Sequence, residues 1–92
     1  MAQTKGAFMA SMDEIKQGVY AAVADAFMLG VEQVAANPAV RLREDLGASS
    51  MNYYPLIADL EEAFDVEFEL HDFQFRAKTV DDVVAMVAEA LA

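Results

Sequence analysis

Three stretches of this chain repeat apolar residues at helical spacing, and each has a capping signal near its start. In the first, Ile15, Val19, Ala22, Val23 and Ala26 fall on one helical face, and Tyr20, Phe27 and Leu29 widen it. Ser11 stands before it with Glu14 three residues on, the spacing of a capping box. The second stripe is Tyr53, Leu56, Ile57, Leu60 and Phe64, with Asn52, Asp59 and Glu62 on the opposite side. The third is Val80, Val83, Val84, Val87 and Leu91, introduced by Thr79 and followed at once by Asp81 and Asp82. A threonine cap and acids in the first turn complement the free N–H groups and the dipole of a helix start. Three amphipathic helices must bury their stripes against one another, so the chain is expected to be all-α, a small helical bundle.

The connections are less regular. Gly30 is placed to end the first helix in a left-handed conformation. Residues 31–48 read as a long loop, turned at Asn37-Pro38 because the residue before proline is pushed out of the helical region. Val34, Val40, Leu42 and Leu46 are expected to pin that loop to the core, and Gly47 to permit the turn into the second helix. A loop of this length in a compact domain is often functional. Pro55 costs a hydrogen bond inside a helix. A helix capped by Asn52 would place it in the first turn, so a late or distorted start is expected, with Ser49 and Ser50 loop-like. Val66, Phe68 and Leu70 alternate with acids, but a lone strand has no partner. That segment is read as a loop entering a short helical turn near 72–77. The expectation is three longer helices and one short one, with residues 1–10 as a flexible N-terminal lead and 11–92 as the folded domain.

Size and charge narrow the function. Ninety-two residues make one domain. No cysteine is present, so disulfides and thiolate chemistry of the chain's own are excluded. The apolar share is 57%, yet no run spans a bilayer, and the N-terminus lacks a signal-peptide core. A cytoplasmic protein is expected. The net charge of −10 repels phosphate backbones and excludes nucleic acid as a natural partner. Asp59, Glu61, Glu62, Asp65, Glu67, Glu69 and Asp72 occur with no Lys or Arg among them, which favours a local surface for proteins with basic patches.

Candidate chemistry concentrates at Ser50. A serine before a helix is ordinarily a cap. Here an anion attached to it would meet the free N–H groups and positive end of the helix. The lone histidine, His71, is distant in sequence, and there is no Gly-x-Ser-x-Gly elbow, so a self-activated hydrolase is not supported. A serine modified by another enzyme fits better. Glu61-Glu62 and Asp81-Asp82 read as solvated helix faces rather than a metal site. Arg41 and Arg43 balance Glu44 and Asp45 more readily than a phosphate.

The residues Leu29-Gly30-Val31, Val34, Pro38, Leu42, Asp45-Leu46-Gly47-Ala48, Ser50, Leu56, Leu60-Glu61-Glu62, Phe64-Asp65 and Thr79-Val80 resemble acyl carrier proteins over about residues 12–91. The resemblance implies a four-helix carrier fold without catalysis of its own. It implies a 4′-phosphopantetheine arm on Ser50, taken from coenzyme A, and acyl thioesters passed between enzymes of fatty acid, lipid or polyketide synthesis. It implies a phosphopantetheinyl transferase and acyl-transferring or condensing enzymes as partners, met through Met51, Asp59, Glu61 and Glu62 by a monomer. Phe27, Met28, Leu46, Met51, Tyr54, Ile57 and Phe64 are candidates to line an acyl cavity, with plain core packing the competing reading for each. Asp45-Leu46-Gly47 leans toward acyl rather than aminoacyl cargo.

Several positions depart from the family pattern. Ser49 stands where aspartate is common, Met51 where leucine is, and Asn52 and Pro55 where acids are. Ser49 also leaves a second hydroxyl one position away as an alternative attachment point. These departures suggest a specialised carrier with its own partners. They also keep open a carrier-fold interaction module that is never modified.

Overall fold

The computed structural model describes residues 11–92, so the expected N-terminal lead lies outside the described residues. Five helices follow in chain order: α1 Met12–Phe27, α2 Val31–Ala36, α3 Ser50–Phe64, α4 Leu70–Arg76 and α5 Val80–Leu91. The protein is all-helical, a small bundle in which α1 packs against α2, α3 and α5, and α4 closes against α3. The predicted stripes are its core. Val19, Val23, Leu56, Leu60, Val80, Val83 and Val87 are completely buried, and no charged or polar residue joins them among the described residues. Gly18 on α1 is the point of closest approach to α3. A Cβ there would meet the ring of Phe64, overlapping Cζ and lying 3.0 and 3.3 Å from the two Cε atoms.

Ser11 caps α1 as its spacing predicts. Its hydroxyl accepts the Glu14 N–H at 3.2 Å, and the Glu14 carboxylate accepts the Ser11 N–H at 3.0 Å. The other end differs from expectation. Met28, not Gly30, takes the left-handed conformation, at φ 59°. The Leu29 N–H returns to the Ala24 carbonyl at 2.8 Å, and the Met28 N–H to Asp25, which is the Schellman closure. Gly30 is left extended, at φ −80°, as the residue before α2. The long connection therefore holds a helix of its own, contrary to the loop expected over 31–48. Val34 is its one buried residue, and a single apolar anchor in six residues is too short a pattern for periodicity to register.

The rest of that connection is anchored at the start of α5. The Leu42 N–H donates to the Lys78 carbonyl at 2.9 Å. Val80 and Asp81, the first residues of α5, donate to the Val40 and Pro38 carbonyls at 3.3 and 2.9 Å. N–H groups that a helix start leaves free are thus satisfied by the loop. Thr79 completes the junction, its hydroxyl accepting the Asp82 N–H at 3.1 Å while Asp82 accepts the Thr79 N–H at 3.0 Å. Leu42 is fully buried beneath, and Val40 and Leu46 pack against the core, as expected of residues that pin the loop.

Candidate functional site

The site is the start of α3 and the turn before it. Arg41 and Asp45 shape that turn. The Asp45 carboxylate accepts the Arg41 N–H at 2.9 Å and is gripped by the guanidinium at 3.1 and 3.2 Å. These bonds, first the guanidinium and then the backbone N–H, hold the Asp45 carboxyl below its ordinary pKa. Arg41 is therefore committed to Asp45, as its spacing suggested. Gly47 follows at φ +68°, a conformation with which a side chain is seldom compatible. The Ala48 N–H donates to the Leu42 carbonyl at 2.9 Å and closes the turn.

Helix α3 begins three residues earlier than a helix capped by Asn52 would. Ser49, not Asn52, is its cap. The Ser49 hydroxyl accepts the Met51 N–H at 3.3 Å, and the Asn52 Oδ1 accepts the Ser49 N–H at 3.0 Å. Ser50 is the first helical residue and is exposed. Pro55 consequently sits inside the helix rather than in its first turn. The Met51 carbonyl loses its partner four residues on, but both residues are exposed, so water can solvate that carbonyl.

The electrostatics suit an anion on Ser50. No acid lies in the first turn of α3, and the helix presents the positive end of 15 aligned peptide units. Among the described residues the Ser50 hydroxyl makes no hydrogen bond, whereas the Ser49 hydroxyl is used as a cap and also lies 3.4 Å from Asn52 Oδ1. An exposed hydroxyl on a helix start free of carboxylates fits a phosphodiester attachment point. The arm, when bound, supplies the thiol that this cysteine-free chain lacks.

The other named residues separate into two groups. Met51 is 83% exposed at the Ser50 end of α3. Asp59 and Glu62 lie on the same helix beyond it and line a shallow groove of about 310 Å³ with Gly18, Ala22 and Asp25 of α1. Partial burial, then the hydrogen bond and charge of Asp25, raise the Asp59 carboxyl above its usual pKa, with Glu62 adding to the effect. Glu61 is half-buried and accepts the Phe68 N–H at 3.0 Å, so it ties the α3–α4 loop.

The candidate cavity lining does not form one wall. Met28 and Tyr54 are exposed, Met51 likewise, while Ile57 and Phe64 are core and Phe27 and Leu46 only flank it. His71 is a surface residue, 3.2 Å from Glu69. Tyr53, three residues after Ser50, is 1% exposed and packs edge-on against Phe73, with ring centroids 6.2 Å apart. Its hydroxyl has no partner among the described residues, and burial raises its pKa. The sequence marked Tyr53 as apolar stripe and had no signal for the orphaned hydroxyl. Among the described residues no cluster of carboxylates and histidine has the geometry of a metal site.

A helical bundle that presents an exposed serine at a helix start, backed by a glycine turn, is the architecture of a carrier protein. The family model for the phosphopantetheine attachment site matches residues 17–87, and the chain belongs to that family. It is a carrier protein of the acyl carrier type, one that takes 4′-phosphopantetheine covalently. Carrier domains of this family are generally not catalytic, and they interact with a phosphopantetheinyl transferase and biosynthetic enzymes. No described helix is long and apolar enough to cross a membrane.

Proposed function

We propose that Ser50 carries the arm, and that the protein holds acyl intermediates as thioesters and delivers them to enzymes of fatty acid, lipid or polyketide synthesis without catalysis of its own. The observation that carries the assignment is the contrast between the two serines. The Ser49 hydroxyl is consumed in capping α3, while the adjacent Ser50 hydroxyl, exposed on its first turn, has no partner among the described residues. The Ser50 oxygen would attack the coenzyme A phosphorus that bears the pantetheine, the pyrophosphate P–O bond would break with adenosine 3′,5′-bisphosphate as the leaving group, and the serine proton would pass to a base on the transferase.

Partner enzymes would dock with Met51 at the reacting end and a basic patch facing Asp59 and Glu62. Glu61 contributes its charge to that surface while its carboxylate holds the loop. Eight residues of helix separate Met51 from Asp59, about 12 Å along the axis. The partner thus has an apolar contact near its active site and its basic contact a short distance away. The protein would act as a monomer in the cytoplasm.

The test is intact mass after incubation with coenzyme A and each of several phosphopantetheinyl transferases, repeated on Ser50→Ala and Ser49→Ala. A gain of one arm that disappears only in Ser50→Ala is expected. A gain that disappears only in Ser49→Ala would move the site by one residue. No gain with any transferase, on a chain whose circular dichroism is helical, would favour the unmodified interaction module.

A further inference from the structure

We infer that Asn52 is a positioning residue for the modified serine: its carboxamide clamps the start of α3 to the end of α1 and so fixes Ser50. This rests on the reading of Ser50 as the attachment site.

The carboxamide is used at both ends. Its Oδ1 accepts the Ser49 N–H at 3.0 Å, and its Nδ2 donates to the Ala26 carbonyl at 3.1 Å across 26 residues of chain. Only this orientation satisfies both, since a carbonyl oxygen needs a donor and an N–H needs an acceptor. Ala26 lies in the last turn of α1, where carbonyls lack helical partners. The Schellman closure there serves the Ala24 and Asp25 carbonyls and leaves Ala26 to Asn52. One side chain therefore joins the negative end of α1 to the positive end of α3. Through its bond to Ser49 it also brackets Ser50 and Met51, the first two residues of α3, which are both exposed.

An aspartate cannot do this. Its carboxylate could still accept the Ser49 N–H, and the α3 dipole would favour it. Toward α1, however, it would set an acceptor against an acceptor, at the helix end that already carries partial negative charge and has no basic residue in its last turn. The neutral carboxamide is thus required by the junction. A second consequence concerns partners: one N–H of Nδ2 and one lone pair of Oδ1 are already engaged within the protein, so this side chain offers a docking enzyme no charge and only part of its hydrogen-bonding capacity.

The experiment compares the full chain with Asn52→Asp and Asn52→Ala by amide hydrogen exchange at Asn52 and Tyr53, whose N–H groups bond the Ser49 carbonyl at 2.8 and 3.0 Å. It then compares transfer from coenzyme A by a transferase active on the parent chain. Both variants are expected to keep the helical circular dichroism, because the buried core is untouched. Exchange at Asn52 and Tyr53 should rise about tenfold in both, with kcat for transfer falling by a similar factor and KM changing about twofold or less. That factor corresponds to roughly 1.4 kcal/mol, the size of one hydrogen bond.

Unchanged exchange in Asn52→Asp overturns the clamp, whether or not the chain is modified. So does faster transfer in Asn52→Asp than in the parent, which would mark the position as one the transferase reads by charge. A loss of efficiency confined to a rise in KM, with kcat unchanged, would do the same, because it would show a docking contact rather than a held geometry. Persistence of the mass gain in Ser50→Ala would fail the assignment of the site instead, and the exchange data would still decide the clamp.

Discussion

Replacing Gly18 with alanine sets two effects of known sign against each other. Glycine inside a helix costs about 1 kcal/mol relative to alanine, so propensity alone makes Gly18→Ala stabilising. The new methyl would meet the Phe64 ring, however, overlapping Cζ and crowding both Cε atoms. Phe64 is 7% exposed and packed into the α1–α3 interface, so the ring must shift within a filled core. Overpacking of this kind costs about 1–3 kcal/mol. The difference is a net loss of up to about 2 kcal/mol, and for a domain of this size each kcal/mol is worth roughly 4–8 °C in Tm.

Phe64→Leu isolates the cause, because leucine has no Cζ or Cε atoms and all three crowded contacts vanish. In that background Gly18→Ala should gain the full propensity term, about 1 kcal/mol. The assay is urea unfolding followed by circular dichroism on the four chains of the cycle. The sign of the Gly18→Ala effect is expected to reverse between backgrounds. The same sign in both would refute the argument that Phe64 dictates glycine at this position.

Other outcomes follow from particular side chains. Ser49→Ala removes the α3 cap and should lower stability by about 1 kcal/mol, while Ser50→Ala, exposed and unbonded, should stay within about 0.5 kcal/mol of the parent; thermal melts distinguish them. Tyr53→Phe deletes an orphaned hydroxyl without changing the ring and should be stabilising by about 1 kcal/mol or more in urea unfolding, since such a group carries an unrepaid desolvation cost. Asp59 has a folded pKa above its unfolded value, so its contribution is fully present below the unfolded pKa and is lost as pH rises through the folded one. Asp59→Asn should therefore be more stable than the parent near neutral pH, and melts taken from pH 7 downward should show the advantage shrinking. Asp45 has the opposite sign: its lowered pKa gives stability above the unfolded value that disappears as pH falls through the folded one, so Asp45→Asn should blunt the parent's loss in strong acid.

Much of the candidate site was legible because it is local. Ser11 with Glu14 and Thr79 with Asp82 are caps set by spacing alone, and both form. The stripe Tyr53, Leu56, Ile57, Leu60 and Phe64 is buried as written. The Gly47 turn into α3 and the Arg41–Asp45 pair, four residues apart, also lie within a short stretch of chain. Legibility failed where two distant segments compete for the same polar group. Asn52 reads as a cap from its neighbours, yet Ser49 takes that role while Asn52 reaches Ala26. Asp59 reads as a solvated acid, yet it shares a groove with Asp25 of another helix.

Periodicity, caps and charge by themselves determined three amphipathic helices, an all-α bundle, an acidic face and a serine at a helix start. Each depends on residues within about one or two turns of one another, where geometry follows from the backbone period. The tertiary structure alone decided that α2 forms around Val34, that Met28 rather than Gly30 turns left-handed, and that Gly18 must leave room for Phe64. It also decided which of two adjacent serines caps the helix and which is its first residue. Those outcomes depend on how α1 meets α3 in space, and no local preference of about 1 kcal/mol can fix a contact that the packing of two helices makes or forbids.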